Sequence, residues 1–178
     1  MRIIDNAMPN FAEVQDRILA PGFAWYYARA TKKTDEPINP YLYGWVHLVF
    51  DDGKWFSDAA QLVGEGVLGA LAQAGEPVKG VFRIRLILNT ISDRPYLNGP
   101  HVDLLMPHKT ALIYLNDADG PTLIYNERWS EPMPQTFTVG AQVEPVANRM
   151  AIFDGQRFHT GTTPTRTPRR IVLNINYE

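Results

Sequence analysis

Side chains that could bind one metal ion occur at two places in the chain. His101 and Asp103 are separated by a single residue. In an extended strand, side chains two positions apart point to the same side, so this imidazole and carboxylate can converge on one ion. The alternative for this pair alone is a surface ion pair. His159, much further along the chain, adds a second imidazole. Two histidines and one aspartate are the ligand set of non-haem iron(II) sites with open coordination positions, which predicts such a site here, with zinc as the less natural occupant.

A candidate anion-binding group begins the last predicted strand. Polar and apolar residues alternate from Arg170 onward, so Arg170, Asn174 and Asn176 share one face. A guanidinium soon after His159 could hold a carboxylate through a forked pair of hydrogen bonds. By the same alternation, the Tyr114 hydroxyl could donate to that carboxylate. Taken alone, Arg170 would be a surface residue and Tyr114 a core residue.

The two remaining histidines are interpreted as non-ligands. His108 lies between Pro107 and Lys109, a turn-like context that predicts a solvated side chain. His47 is surrounded by apolar residues, which predicts a buried, hydrogen-bonded histidine. The alternative for His47 is that it lines a substrate pocket.

The composition indicates one globular domain in a reducing compartment. The chain has 178 residues, 45% of them hydrophobic, and a formal net charge of -2. This weak net charge argues against nucleic acid as an obligatory partner. A sequence without cysteine has no disulfide, thiolate zinc site or cysteine nucleophile. The apolar runs are too short to span a bilayer, and Arg2 and Asp5 interrupt any signal peptide, so we expect a cytoplasmic protein without a membrane partner.

Helical signals are confined to the first half of the chain. Asn10 and Glu13 form a capping pair at the start of a first helix, which ends before Pro21. Ser57 is the predicted N-cap of a second helix, which closes at Gly75. From residue 78 onward, short runs rich in β-branched and aromatic residues alternate with turn residues, as consecutive strands do. The predicted strands are Val81–Asn89, His101–Leu105, Lys109–Leu115, Thr122–Tyr125, Thr136–Val139, Arg149–Phe153 and Arg170–Tyr177, with further strand segments at Phe23–Tyr27 and Trp45–Phe50.

This order of elements predicts a mainly β protein of the α+β class, a sandwich or jelly roll packed by two N-terminal helices. The polar stretches Thr31–Pro40 and Glu127–Gln135 are predicted surface loops at the substrate entrance. Arg128 and Trp129 lie in the second of them, and such residues are frequent where partners are bound. The alternative is that Trp129 folds back onto the core.

Six segments, taken in order, resemble the 2-oxoglutarate- and iron(II)-dependent dioxygenases, and most closely their prolyl-4-hydroxylase-like branch. No single segment is specific, but the ordered set covers the chain from about residue 83 to the C-terminus. The segments are Gly99–Asp103, Ile113–Asn116, Asp119–Leu123, Arg149–Gly155, His159–Gly161 and Arg170–Leu173.

The resemblance implies a double-stranded β-helix, a cupin-like jelly roll, in one domain over residues 1–178. Residues 1–78 would form a helical support with early strands, and residues 79–178 the β-helix core. It also implies that His101, Asp103 and His159 bind Fe(II), and that Arg170 and Tyr114 hold the distal carboxylate of 2-oxoglutarate.

The match to the family pattern is inexact or ambiguous at four points. Arg169 competes with Arg170 for the arginine role. The usual Gly-Gly turn is here Gly120-Pro121, and the stretch from 162 to 168 carries about one extra residue. Asn89 or Tyr96 would replace a family tyrosine that reaches the cosubstrate.

The activity implied by the resemblance is hydroxylation coupled to oxidative decarboxylation of 2-oxoglutarate, with ascorbate as a stimulant. Its partners would be 2-oxoglutarate, O2 and an unidentified protein, peptide or small-molecule substrate. The alternatives are a non-oxidative metal-binding jelly-roll module or cupin-like isomerase, and a pseudoenzyme that keeps only the scaffold.

Overall fold

The computed structural model describes residues 1–29 and 43–178, so the predicted loop Thr31–Pro40 lies outside the described residues. Within them the chain forms two helices and eleven strands. The helices are α1 (Phe11–Leu19) and α2 (Ala60–Gln73). The strands are β1 (Arg2–Ile4), β2 (Tyr26–Arg29), β3 (Tyr43–Asp51), β4 (Lys54–Trp55), β5 (Val81–Thr90), β6 (Lys109–Tyr114), β7 (Thr122–Arg128), β8 (Val139–Val143), β9 (Met150–Asp154), β10 (Arg157–Gly161) and β11 (Arg169–Tyr177).

The strands form two antiparallel sheets. The larger has the order β1-β9-β6-β11-β5-β3-β2, with β4 paired to β3, and the smaller has the order β10-β7-β8. The helices cover one face of the larger sheet, and the smaller sheet faces the other. This arrangement confirms the predicted jelly roll with helical support. The division at residue 78 remains a prediction.

Two apolar clusters hold these layers together. The first lies between the helices and the larger sheet and includes Val14, Leu71 and Leu173. The second lies between the two sheets and includes Tyr114 and Ile124. Strand β11 supplies both clusters because alternate side chains of a strand point to opposite faces.

The pairing of β11 with β5 places polar residues of both strands on the face that lies between the two sheets. Arg170 lies opposite Asn89, and Asn174 lies opposite Arg85. Directly opposed residues in an antiparallel pair share a face. The predicted polar face of the last strand is confirmed, and it continues onto β5.

Both helices occur where predicted, but without the predicted caps. The Asn10 side chain makes no cap hydrogen bond, and its Nδ2 donates to Leu62 O at 3.1 Å instead. Helix α2 begins at Ala60, and Ser57 Oγ lies before it, where it accepts from Ala59 N–H at 3.0 Å. The predicted side-chain capping of the first helix is therefore absent, and the Asn10 side chain links the start of α1 to α2 instead.

Two strand predictions are wrong. The segment His101–Leu105 is not a strand, because only His101 pairs with a neighbouring strand and the chain then turns. The predicted strand Thr136–Val139 begins at Val139 instead, since Thr138 N–H donates to the Glu127 carboxylate rather than to a ladder. Strands β1, β4 and β10 were not predicted.

Neither helix of the described residues is long and apolar enough to cross a membrane.

A buried carboxylate fastens the end of α2 to the larger sheet. Glu76 accepts hydrogen bonds from Arg2 Nη1 at 2.5 Å, Lys109 Nζ at 2.6 Å and Tyr177 OH at 3.0 Å. Burial opposes ionisation, but the donors Lys109, Tyr177 and Arg2 outweigh it and lower the pKa of Glu76. The charged form is therefore the one that the fold stabilises.

We expect Glu76→Gln to lower the free energy of unfolding at neutral pH by about 1–2 kcal/mol. The substitution removes the charge-assisted hydrogen bonds that Glu76 accepts from Arg2 and Lys109, whose side chains are partly exposed. A lowered folded-state pKa stabilises the protein above the unfolded pKa of about 4.3, and this contribution is lost as the pH falls through the folded-state pKa. Urea unfolding of both proteins across this range measures the difference.

The control is Asp58→Asn, which removes the exposed ion pair with Arg17 and should change stability by less than about 0.5 kcal/mol. A Glu76→Gln deficit that stays constant down to about pH 3 would contradict this assignment.

Candidate metal centre

A pair of backbone hydrogen bonds brings the two distant histidines together. His101 N–H donates to His159 O at 3.1 Å, and His159 N–H donates to His101 O at 2.9 Å. The imidazole ring centroids are 4.7 Å apart. Asp103 follows on the same segment, and one ligand atom from each of the three residues lies within 4.8 Å of the others. The structure therefore assembles the three predicted metal ligands between the sheets.

Backbone carbonyls orient both imidazoles. His101 Nδ1 lies 3.0 Å from Gly99 O, and His159 Nδ1 lies 3.3 Å from Arg157 O. An Nδ1–H that donates to a carbonyl leaves the lone pair on Nε2, the arrangement common among metal-binding histidines. His159 Nε2 lies 3.4 Å from Asp103 Oδ2. The tautomer of each histidine is assigned from these contacts.

The Asp103 carboxylate is buried and surrounded by donors. Asn174 Nδ2 and Asn176 Nδ2 each donate to Oδ2 at 3.0 Å. Arg83 Nη2 donates to Oδ1 at 3.3 Å, and Arg85 Nη2 donates to the same oxygen. Burial raises the pKa of Asp103, but His159, Arg85 and Asn174 outweigh this and hold it well below its usual value. The carboxylate is therefore ionised at neutral pH.

His101 is neutral at the same pH. Burial and the neighbouring charge of His159 lower the pKa of His101 to about 4. Metal ligation requires a neutral imidazole and an ionised carboxylate. Two imidazole nitrogens and one carboxylate oxygen then form a three-residue donor set, which fits iron(II) with open coordination positions.

A cavity of about 420 Å³, including its opening to solvent, lies beside the three ligands. Its wall consists largely of the facing residues of β5 and β11. The lining residues are Arg85, Ile87, Asn89, Asn98, His101, Leu112, Thr122, His159, Gly161, Arg170, Val172 and Asn174.

Arg170 closes the deep end of this cavity. The residue is 3% exposed. Its Nε donates to Gly120 O at 2.7 Å and its Nη2 donates to Thr122 Oγ1 at 2.6 Å. Burial lowers the pKa of Arg170, but an arginine remains charged at neutral pH. Arg169 is exposed instead, so the structure places Arg170 in the cavity wall.

Tyr114 supports this end of the cavity from behind. Its hydroxyl donates to Thr122 Oγ1 at 2.7 Å, and the Arg170 guanidinium carbon lies 5.5 Å from the centre of its ring. Donation from Tyr114 to a bound carboxylate remains a prediction, because its hydroxyl is already paired with Thr122. Asn89 lines the cavity with Oδ1 3.5 Å from Arg170 Nη1, whereas Tyr96 is buried beside Thr163.

One carboxylate fixes the loop that precedes β11. Asp119 accepts from the backbone N–H groups of Thr165, Arg166 and Thr167 and from two threonine hydroxyls. Burial opposes ionisation of Asp119, but these hydrogen bonds lower its pKa. The next residue, Gly120, is packed so closely that a Cβ would lie 3.0 Å from Pro164 N. This loop therefore holds the carbonyl to which Arg170 donates.

No family model and no curated protein matches the chain. Solved structures are similar over nearly its whole length. A prolyl hydroxylase from Trichoplax adhaerens, in complex with a peptide fragment of the hypoxia inducible factor oxygen degradation domain, is 15% identical, with 99% of this chain and 82% of that chain covered and a TM-score of 0.60. A 2OG-Fe(II) oxygenase family oxidoreductase from Burkholderia pseudomallei is 13% identical, with 94% and 76% covered and a TM-score of 0.60.

A third similar structure is the epimerase SnoN from nogalamycin biosynthesis, in complex with Fe3+, alpha ketoglutarate (2-oxoglutarate) and nogalamycin RO. It is 16% identical, with 98% of this chain and 77% of that chain covered and a TM-score of 0.56. The chain has the fold of the 2OG-Fe(II) oxygenases. The resemblance noted in the sequence is thus confirmed at the level of the 2OG-Fe(II) oxygenase fold.

The remaining site predictions have mixed outcomes. His47 is buried as predicted, with its ring nitrogens 2.7 Å from Ala24 O and from Ser57 Oγ. The prediction of a solvated His108 is wrong, because the side chain is buried beside Gly155 and Nδ1 lies 2.8 Å from Met106 O.

The structure also changes the interpretation of the Glu127–Gln135 segment. Its first two residues belong to β7, and Arg128 pairs with Asp154. Trp129 is half-buried, with its ring centroid 6.3 Å from that of Phe158. These contacts favour the alternative in which Trp129 packs on the core.

Sequence reasoning missed Arg83 and Arg85. Both lie on the cavity side of β5, where they alternate with the buried Ile84 and Leu86. That alternation was the available signal. The alternation identifies the side of β5 on which the two arginines lie. It does not identify Asp103 as the carboxylate to which they donate, because Asp103 comes from a segment with no predicted pairing to β5.

We expect His101→Ala, Asp103→Ala and His159→Ala each to remove most Fe(II) or Mn(II) binding, which in the unmodified protein should reach one ion per chain. Each variant deletes one of the three donor atoms that converge between the sheets. Anaerobic metal titration of the folded protein measures this. His47→Gln, which changes a buried histidine outside the cluster, is the control and should retain the metal. Unchanged affinity in all three variants would contradict the assignment.

Proposed function

We propose that this protein is an iron(II)- and 2-oxoglutarate-dependent oxygenase. The observation that carries the proposal is the presence of two anchors in one cavity. A His-Asp-His donor set lies on one side, and the buried guanidinium of Arg170 lies at the deep end. A metal-chelating 2-oxo acid with a second carboxylate at its far end suits both anchors.

The spacing of the two anchors supports this ligand. Asn174, which donates to Asp103, lies four residues after Arg170 on β11. Four residues of a strand span about 13 Å. The ligand side chains and the guanidinium reach into this interval from its two ends, which leaves room for a five-carbon dicarboxylate. Thr122, which already contacts Arg170, offers a hydroxyl to the same carboxylate.

The chain would hold and orient the reactants. His101, Asp103 and His159 would bind iron(II) from one side. When bound, iron(II) and 2-oxoglutarate would supply the oxidising chemistry, in which O2, 2-oxoglutarate and a substrate C–H bond give succinate, CO2 and a C–OH group. Ile87, Leu112 and Val172 would provide an apolar wall that limits water.

A non-oxidative metal site would not account for Arg170. Burying a guanidinium costs free energy that only hydrogen bonds and a bound anion offset. Gly120, Thr122 and Asn89 occupy part of its donors with neutral acceptors. The positive charge of Arg170 is therefore not neutralised by these acceptors. A bound 2-oxoglutarate carboxylate would neutralise it, which favours the oxygenase over a cupin-like isomerase or a metal-binding module.

We expect Arg170→Ala to weaken 2-oxoglutarate binding about tenfold to a hundredfold, since a charge-assisted hydrogen-bond pair is worth ~1.5–3 kcal/mol. Calorimetry with Mn(II)-loaded protein measures the affinity. Arg169→Ala is the matched control and should change it by less than about twofold, because its side chain is exposed. A larger loss for Arg169→Ala would show that the assigned register is wrong. Arg170→Lys keeps the charge but loses the forked pair of hydrogen bonds. If this variant binds 2-oxoglutarate more weakly while its Mn(II) affinity is unchanged, the loss comes from the missing fork and not from misfolding.

The proposed activity is tested without the natural substrate. With Fe(II), ascorbate and O2, we expect slow conversion of 2-oxoglutarate to succinate. Under anaerobic conditions, we expect a visible charge-transfer band between Fe(II) and 2-oxoglutarate. His159→Ala should lose both signals. If the unmodified protein gives neither, the non-oxidative jelly roll is the better interpretation.

A further inference from the structure

Arg85 gives the cavity a second cation, distant from Arg170. Within the described residues, the only hydrogen bond of its side chain goes from Nη2 to Asp103 Oδ1. Its Nε is buried without a partner. Its side chain is 26% exposed, and the residue lines the cavity. The guanidinium therefore has donors that Asp103 does not use, and part of it is accessible.

The charges around Arg85 are not balanced on the cavity side. Among the described lining residues there are two arginines and no carboxylate. Arg83 competes for the same Asp103 oxygen, at 3.3 Å. Asp103 must also serve as a metal ligand. One carboxylate is thus shared by two guanidiniums and a proposed divalent ion, so the Arg85 end of the cavity has an excess of positive charge.

Arg85 is also the more exposed of the two arginines that line the cavity. It is opposite Asn174, whereas Arg170 is opposite Asn89, and four residues on each strand, or about 13 Å, separate the two pairs. Arg170 is 3% exposed and lies deep. A carboxylate bound at Arg170 cannot also neutralise Arg85, whereas the partly exposed Arg85 side chain is accessible to a second molecule.

We propose that Arg85 binds an oxyanion of the prime substrate, which makes that substrate a small acid with a carboxylate or phosphate group. This inference rests on the proposed function, because it assumes that 2-oxoglutarate occupies the Arg170 end. The acid group would lie beside the metal ligands and would hold the rest of the molecule near the metal. An acidic small molecule is favoured over a neutral peptide because only the former neutralises the Arg85 end of the cavity.

The test uses the relaxation caused by Mn(II), which broadens the proton signals of nearby small molecules. The Mn(II) protein is saturated with 2-oxoglutarate, which blocks Arg170, and the probes are propionate, methyl phosphate and the neutral propionamide. We expect broadening of the two anions and little broadening of propionamide. Arg85→Gln should reduce the broadening of the anions about tenfold, and Arg85→Lys, which keeps the charge, should retain part of it.

Arg83→Gln is the matched control. Arg83 also donates to Asp103 but is not a lining residue of the cavity, so anion broadening should persist once the Mn(II) concentration is adjusted to full occupancy. Equal loss of anion broadening in the Arg83 and Arg85 variants at full occupancy would mean that Arg85 only orients Asp103, and this would overturn the proposal. Absence of anion broadening in the unmodified protein would overturn it as well.

Separate calorimetry of 2-oxoglutarate distinguishes the remaining outcomes. With the protein fully loaded with Mn(II), Arg85→Gln should weaken 2-oxoglutarate binding by less than about tenfold, because Arg85 lies four residues along the sheet from Arg170. A loss of tenfold or more would assign Arg85 to the cosubstrate's own metal-proximal carboxylate and overturn the substrate assignment. If 2-oxoglutarate fails to bind the unmodified Mn(II) protein, the proposed function itself is contradicted, independently of the anion result.

Discussion

The buried charge of Asp103 is the constraint on which the arrangement between the two sheets depends. An ionised carboxylate cannot remain buried without close partners, because the cost of removing it from water is several kcal/mol. Its partners come from β5, β10 and β11, with Arg83 and Asn176 among them. The Asp103 side chain, which comes from an irregular segment, thereby links strands of both sheets. A change in the spacing of these strands would remove hydrogen-bond donors and leave the buried charge without partners.

The alternation of β11 explains how one strand serves stability and chemistry together. One face carries Ile171, Leu173 and Ile175, which pack under the helices. The other face carries Arg170 and Asn174, which line the cavity. The helix-facing core is thus separated from the cavity wall by the thickness of a single sheet. Substitutions on the polar face can change ligand preference while the helix-facing core stays intact.

The sequence supports prediction where a residue's role follows from local periodicity. The polar face of β11 and the positions of both helices are examples. Prediction failed where a distant partner decides the structure. His101–Leu105 has the composition of a strand, yet the donors on β5 and β11 turn the chain at Asp103. His108 follows a turn-forming proline but is buried, because the facing residue is Gly155, which leaves space for the imidazole. Such partners are separated by dozens of residues, so local patterns do not identify them.

The Asp119 carboxylate has a consequence for how this part of the chain can change in evolution. A loop whose shape depends on the dihedral angles of its own glycines has a nearly fixed length. Here Asp119, an acceptor outside the loop, binds three successive N–H groups, and backbone hydrogen bonds join Thr163, Pro164 and Pro168 to the segment 91–96. Residues 162 to 168 are thus held by several segments of the chain, so a change of length within them would break at least one of these hydrogen bonds. We therefore expect an acid at the position of Asp119 and a loop of this length to occur together among relatives of this chain.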